Sequence, residues 1–127
     1  MTTELPDSVR SYFEALNSID RSAFVSCFAE EATVRDPYGG PERQGQDGLN
    51  TFFDGMERTW REFNMEPQNA YKGGARVVVP WATTAVAKNG KEAQFSGVNV
   101  FTLGDDDRIE ELDAYWDFKA MLAQIRD

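Results

Sequence analysis

The chain has 127 residues, with 13 Lys and Arg against 22 Asp and Glu, a formal net charge of −9, one cysteine and no histidine. This length suits one domain, residues 1–127, with a core and at most one small pocket, and acidic residues spread along its whole length would repel nucleic acid and anionic membranes. The missing histidine removes the commonest general base, the Ser-His and Cys-His nucleophile pairs and most zinc sites, so proton chemistry falls to carboxylates, tyrosines or lysines.

In chain order, the opening stretch "MTTELPDSVRSYF" contains no apolar run of signal-peptide length, and no segment approaches the ~20 apolar residues of a membrane span, so a cytoplasmic location is expected. Leu5, Val9, Tyr12, Phe13 and Leu16 form one helical stripe within Glu4 to Asn17, with Asp7, Arg10, Glu14 and Asn17 opposite. "NSID" ends that helix and Asp20 is suited to cap a short second one carrying Ala23, Phe24, Cys27 and Phe28. Cys27, among aromatics, reads as a buried structural thiol, and Glu30 and Glu31 as a solvated helix end. A strand over Ala32 to Pro37 is followed by a loop, "PYGGPERQG", and a third helix from Asp47 to Trp60.

The second half changes character. Phe63 to Tyr71, Arg76 to Lys88, Ala93 to Leu103 and Arg108 to Trp116 are rich in Val, Thr and aromatics, separated by "KGG", "KNGK" and "GDDD". Four strands joined by short turns predict an antiparallel meander, closed by a short helix carrying Phe118, Met121, Leu122 and Ile125. Helices first and a sheet afterwards make the class α+β.

Three polar groups point where apolar neighbours lie. Strand alternation puts Asp36 on the face of Ala32 and Val34, and Asn99 on that of Ala93, Phe95, Gly97 and Phe101; Tyr12 lies on the apolar stripe of its helix. A buried hydroxyl or amide without a partner costs roughly 1–3 kcal/mol, and an ionised carboxylate more unless its pKa rises. A concave apolar pocket with a few convergent polar groups gives all three a reason. Each also has a plainer reading. Asp36 can cap a turn or pair with Arg35 or Arg43, Tyr12 can be ordinary core, and Asn99 can face a neighbouring strand or a dimer interface. Phe95, Phe101, Leu112 and Trp116 serve equally as pocket wall or core.

The tyrosine of "SYFEALNSID", the aspartate of "EEATVRDPYGG", the "RQG" before a helix and the polar residue two before a phenylalanine in "VNVF" together resemble the ketosteroid isomerase and SnoaL-like branch of the nuclear-transport-factor-2-like superfamily. The resemblance runs from Arg10 to about Trp116. It implies a cone-shaped barrel in which a curved, mostly antiparallel sheet wraps around the N-terminal helices, in a homodimer, around a small hydrophobic ligand. By resemblance Asp36 is a general base acting next to a ketone and Tyr12 donates a hydrogen bond to the enolate oxygen. Asn99 stands where the family carries a second donor, a protonated acid; an amide NH2 donates without any pKa shift. Phe53 replaces a supporting tyrosine, and the bulky Trp81 and Trp116 narrow the cavity.

Three functions follow, in order: cofactor-independent proton transfer α to a carbonyl, as isomerase or cyclase; a non-catalytic ligand-binding or dimerisation module; and epoxide hydrolysis of the limonene type. The last needs an Asp-Arg-Asp group, whereas Arg35 lies on the face opposite Asp36. Dehydration by a histidine-based relative is excluded by composition, and neither a cofactor nor a metal is expected, because no Gly-rich phosphate loop or ligand spacing is found.

Overall fold

Helix α1 (Asp7–Asn17) turns Val9, Tyr12, Phe13, Ala15 and Leu16 inward, the stripe its periodicity predicts. The computed structural model describes residues 4–127. Ile19, at φ 49°, makes the tight reversal into α2 (Arg21–Ser26), whose first turn is capped by the Asp20 carboxylate accepting from the Ala23 N–H at 3.1 Å. The predicted second helix stops before Phe28, which opens strand β1 (Phe28–Arg35). Glu30 and Glu31 are therefore strand residues and not a helix end. Cys27, at the C-cap of α2, is buried and donates its thiol to the Ala23 carbonyl; burial raises its pKa to about 11, which leaves it protonated and inert.

The predicted loop contains a three-residue strand, β2 (Glu42–Gln44), which leads straight into α3 (Gly45–Thr59). Trp60 does not end that helix but begins β3 (Trp60–Pro67), and a further short strand, β4 (Tyr71–Gly73), pairs with β5 (Arg76–Ala87). β6 (Glu92–Leu103), β7 (Ile109–Trp116) and α4 (Phe118–Ile125) complete the chain. The sheet order is β2-β1-β7-β6-β5-β3, antiparallel except for β1 beside β7. The predicted meander is thus present, as β3, β5, β6 and β7. Register shifts in the β1–β7, β3–β5 and β6–β7 pairs mark irregularities that bend strands, so the sheet curves around α1 and α3.

The core is aromatic: the Tyr12 ring lies 5.1 Å from Phe101, and Phe24 lies 5.0 Å from Phe28 and 5.2 Å from Phe53. Among the described residues no helix is long and apolar enough to cross a membrane.

Asn17, read from its position as a solvated helix residue, has a second task. Its Nδ2 donates to the Met65 carbonyl at 3.1 Å and its Oδ1 accepts from the Met65 N–H at 2.7 Å, so one side chain completes the hydrogen bonding of edge strand β3 and ties α1 to it. Asn17→Ala would leave both backbone groups of buried Met65 unpaired. A loss of about 1–3 kcal/mol in urea denaturation is expected.

Candidate active site

Asp36 follows directly on β1, and Ala32 and Val34, two and four residues before it, are both 1% exposed. Alternation therefore aims its carboxylate inward. The Asp36–Pro37 peptide is cis, and the Tyr38 N–H donates to the Ala114 carbonyl at 2.7 Å, which keeps the chain beside β7 beyond the aspartate. There Trp116, on the inner face of β7, donates its indole N–H to Asp36 Oδ1 at 2.6 Å. One carboxylate oxygen is held and the other remains free of protein partners. Burial pushes the Asp36 pKa up to about 6, against the lowering effect of the Trp116 hydrogen bond.

Asp36 and Tyr12 line one cavity of about 360 Å³, near the small end of ligand pockets. Its wall is rich in aromatic rings. Trp116 stacks on Phe95 at 5.2 Å, Phe95 on Trp60 at 6.0 Å, and Trp81 meets Trp116 edge-on at 6.2 Å. Trp60, placed by its spacing at the end of a helix, joins this wall because β3 starts with it.

Behind the wall runs a buried relay. Trp81 Nε1 donates to Asn99 Oδ1 at 2.8 Å, and Asn99 Nδ2 donates to the Tyr12 hydroxyl at 3.2 Å. An indole nitrogen can only donate, so it fixes which end of the amide faces the tyrosine. The Tyr12 oxygen accepts from Asn99, and its own proton is donated to no protein group among the described residues. Burial, reinforced by the negative charge of Asp36, raises the Tyr12 pKa well above its ordinary value, so the phenol stays a donor at any working pH.

Asn99, expected as a second donor to a ligand, is not among the residues that line the cavity; its amide is hydrogen-bonded to Trp81 and Tyr12. Of the expected wall, Trp81, Phe95 and Trp116 line the cavity, whereas Phe53, Phe101 and Leu112 are fully buried behind it. Phe53 turns from α3 toward α2, where the Arg21 guanidinium lies 5.4 Å over its ring, and its neighbour Phe52 faces the cavity instead. Phe101 supports the Tyr12 and Phe13 rings, and Leu112 pairs across the sheet with Phe101 and Val34.

Arg35 points to the opposite face, where it binds Asp113 at 2.6 Å, Glu42 at 3.0 Å and Glu111 at 3.4 Å. Arg35 therefore takes no part in an Asp-Arg-Asp group around Asp36. Asp54, a second acid that lines the cavity and escaped the sequence reading, is exposed and paired with Arg21 at 2.6 Å. Among the described residues no cluster of side chains could hold a metal ion.

A SnoaL-like domain model matches residues 9–112. The chain belongs to the SnoaL-like family. Among solved structures, it is similar to SalBIII, described as an epoxide hydrolase/cyclase-like enzyme with a role in pyran ring formation in the polyether salinomycin. The identity is 28% and the TM-score 0.78, over 90% of this chain and 91% of that one. Two nuclear-transport-factor-2-like proteins of unknown function share the fold. One, from Burkholderia pseudomallei K96243, is 23% identical with a TM-score of 0.82, over 95% of this SnoaL-like chain and 96% of its own. The other, from Exiguobacterium sp. 255-15, is 19% identical with a TM-score of 0.75, over 87% and 98%.

Proposed function

We propose that this SnoaL-like protein is a cofactor-independent enzyme that removes a proton α to the carbonyl of a small hydrophobic ketone. A β,γ-unsaturated ketone gives a dienolate that takes the proton back two carbons further along; a ketone with a second carbonyl gives an enolate whose carbon closes a ring on it, the proton passing from Asp36 to the oxygen of that carbonyl. The observation that carries this reading is the placing of Asp36 and Tyr12 in the wall of one cavity rich in aromatic rings. Asp36 takes the proton on its free oxygen while Trp116 holds the other. Tyr12, polarised by the Trp81–Asn99 relay, donates to the oxygen on which negative charge develops, and a donor already in place spares the reorganisation water would need. A pKa near the working pH makes Asp36 basic enough to take the proton and still ionised above pH 6.

Deuterium exchange of the α-protons of 2-decalone, followed by NMR, tests it. The enzymatic rate should rise with pH through about 6, as Asp36 ionises, and then level off. A rate that never exceeds the buffer's would sink the proposal. The one specific observation that favours a non-catalytic ligand-binding module is that Asn99, whose amide is bonded to Trp81 and Tyr12, is not among the residues that line the cavity and so adds no second donor beside Tyr12; that reading expects 2-decalone to bind without exchange.

A further inference from the structure

We infer that the ketone this site takes carries an anionic group at its outer end, held at the cavity mouth by Arg43 and Arg58. The inference deepens the ligand-pocket reading above and rests on it. Arg43 is turned to the cavity by register: in the β1–β2 pair it lies opposite Val34, and cross-strand partners share a face. Val34 is buried on the inner side, so Arg43 is directed inward, while its neighbour Glu42 pairs with Arg35 outside. The seat is tight. A Cβ on Gly48 of α3 would lie 2.8 Å from the Arg43 carbonyl carbon and 3.1 Å from its Cβ, so the glycine lets the helix pack directly on this residue.

Arg58 reaches the same space from α3. Its Nη2 folds back to 3.9 Å from where a Gly55 side chain would begin, and Gly55 and Arg58 both line the cavity.

Charge accounting separates these two cations from the others near the site. Arg21 is neutralised by Asp54 and Glu57, and Arg35 by three acids, but Arg43 and Arg58 have no ion pair or side-chain hydrogen bond among the described residues. Asp36 is not their partner: its carboxylate is hydrogen-bonded to Trp116 and has no ion pair among the described residues. The acid that shares the cavity mouth, Asp54, is already committed to Arg21. In a chain of net charge −9, two guanidinium groups without an ion pair among the described residues, lining a cavity otherwise made mostly of aromatic and aliphatic side chains, suit a carboxylate or a phosphate-type group, which takes guanidinium donors in pairs. A neutral ketone has no use for them. The ligand would then lie with its apolar ketone end against Asp36 and Tyr12 and its anion outward.

The test uses 4-cyclohexyl-4-oxobutanoate, its methyl ester and 3-cyclohexyl-3-oxopropylphosphonate, with tryptophan fluorescence as the readout; the three tryptophans of the chain, Trp60, Trp81 and Trp116, all line the cavity. The acid should bind at least about tenfold tighter than the ester, and the stronger of the two anions identifies which group the site prefers. Raising salt from about 0.05 to about 0.5 M should weaken the anions and leave the ester unchanged. In R43Q/R58Q the ratio of acid to ester affinity should fall to near one, while R76Q, a substitution of an exposed arginine outside the cavity, should keep the wild-type ratio. Melting temperatures confirm folding, and should the double variant unfold, the single variants and the salt series decide. An ester bound as tightly as the acid by the wild-type protein, or a full acid preference in R43Q/R58Q, overturns the inference and leaves 2-decalone exchange, and with it the proposed chemistry, standing. Absence of any fluorescence change overturns it as well, and only absence of exchange in addition removes the proposed function.

Discussion

Asp36→Asn is expected to cut α-proton exchange by about 10²–10⁴-fold, the usual contribution of a general base, and at the same time to make the protein more stable at pH 8. Asparagine keeps the shape of the aspartate and an oxygen for the Trp116 indole to donate to at Asp36's position, so the loss falls on proton abstraction. The stability gain follows from the direction of the pKa shift. Burial raises the folded-state pKa of Asp36 to about 6, above the ~3.9 of an unfolded aspartate. The folded state therefore binds the proton more tightly. Its contribution is fully present below pH 4 and is lost as pH rises through 6, where an ionised carboxylate must stay half-buried. Wild type and variant should melt alike at pH 4 and separate above pH 6 by roughly 1–3 kcal/mol in favour of the variant. A variant less stable than wild type at pH 8 would show that Asp36 holds the fold together and would undo its assignment as a base.

Gly97→Ala should be among the most damaging single-methyl additions in the chain. Gly97 sits in the middle of β6, paired with Trp81 on one side and Trp116 on the other. An added Cβ would come 2.7 Å from Trp116 Cβ and 2.8 Å from Trp81 Cζ2, and would also press on the Tyr115 carbonyl oxygen. Strands on both flanks leave the backbone little room to retreat, so the cost should reach or exceed the upper end of the ~1–3 kcal/mol typical of overpacking. The damage also reaches the chemistry. Trp116 carries the indole that holds Asp36, and Trp81 anchors the relay to Tyr12. Urea denaturation measures the first effect and the pH midpoint of 2-decalone exchange the second: without the Trp116 hydrogen bond, which lowers the Asp36 pKa, that midpoint should move upward. Wild-type stability in Gly97→Ala would mean that the two tryptophans do not close on the strand as described.

Local backbone geometry made much of this protein legible before any fold was known. A 3.6-residue period places Tyr12 with Val9 and Leu16 whatever the helix packs against, and a two-residue period places Asp36 with Val34 and Trp116 with Leu112. Asp20 as a cap, the "KNGK" and "GDDD" turns and the meander they join were readable for the same reason: each depends on residues a few positions apart.

What escaped depends on residues far apart in sequence. The three-residue strands β2 and β4 have too little pattern of their own and exist through their partners β1 and β5. That Phe52 rather than Phe53 faces the cavity depends on how α3 packs on α2, where Arg21 lies over the Phe53 ring, and the shared helical stripe is blind to that. Asn99 was correctly aimed inward, but its partner Tyr12 lies 87 residues away and Trp116 lies 80 from Asp36. Sequence thus determined which side chains turn inward, because that is a property of a single strand or helix. Only the tertiary structure decided what each of them meets, because sheet register and helix packing bring distant residues together, and so it alone decided that Asn99 serves Tyr12, that Trp116 holds Asp36 and that Arg43 looks into the cavity.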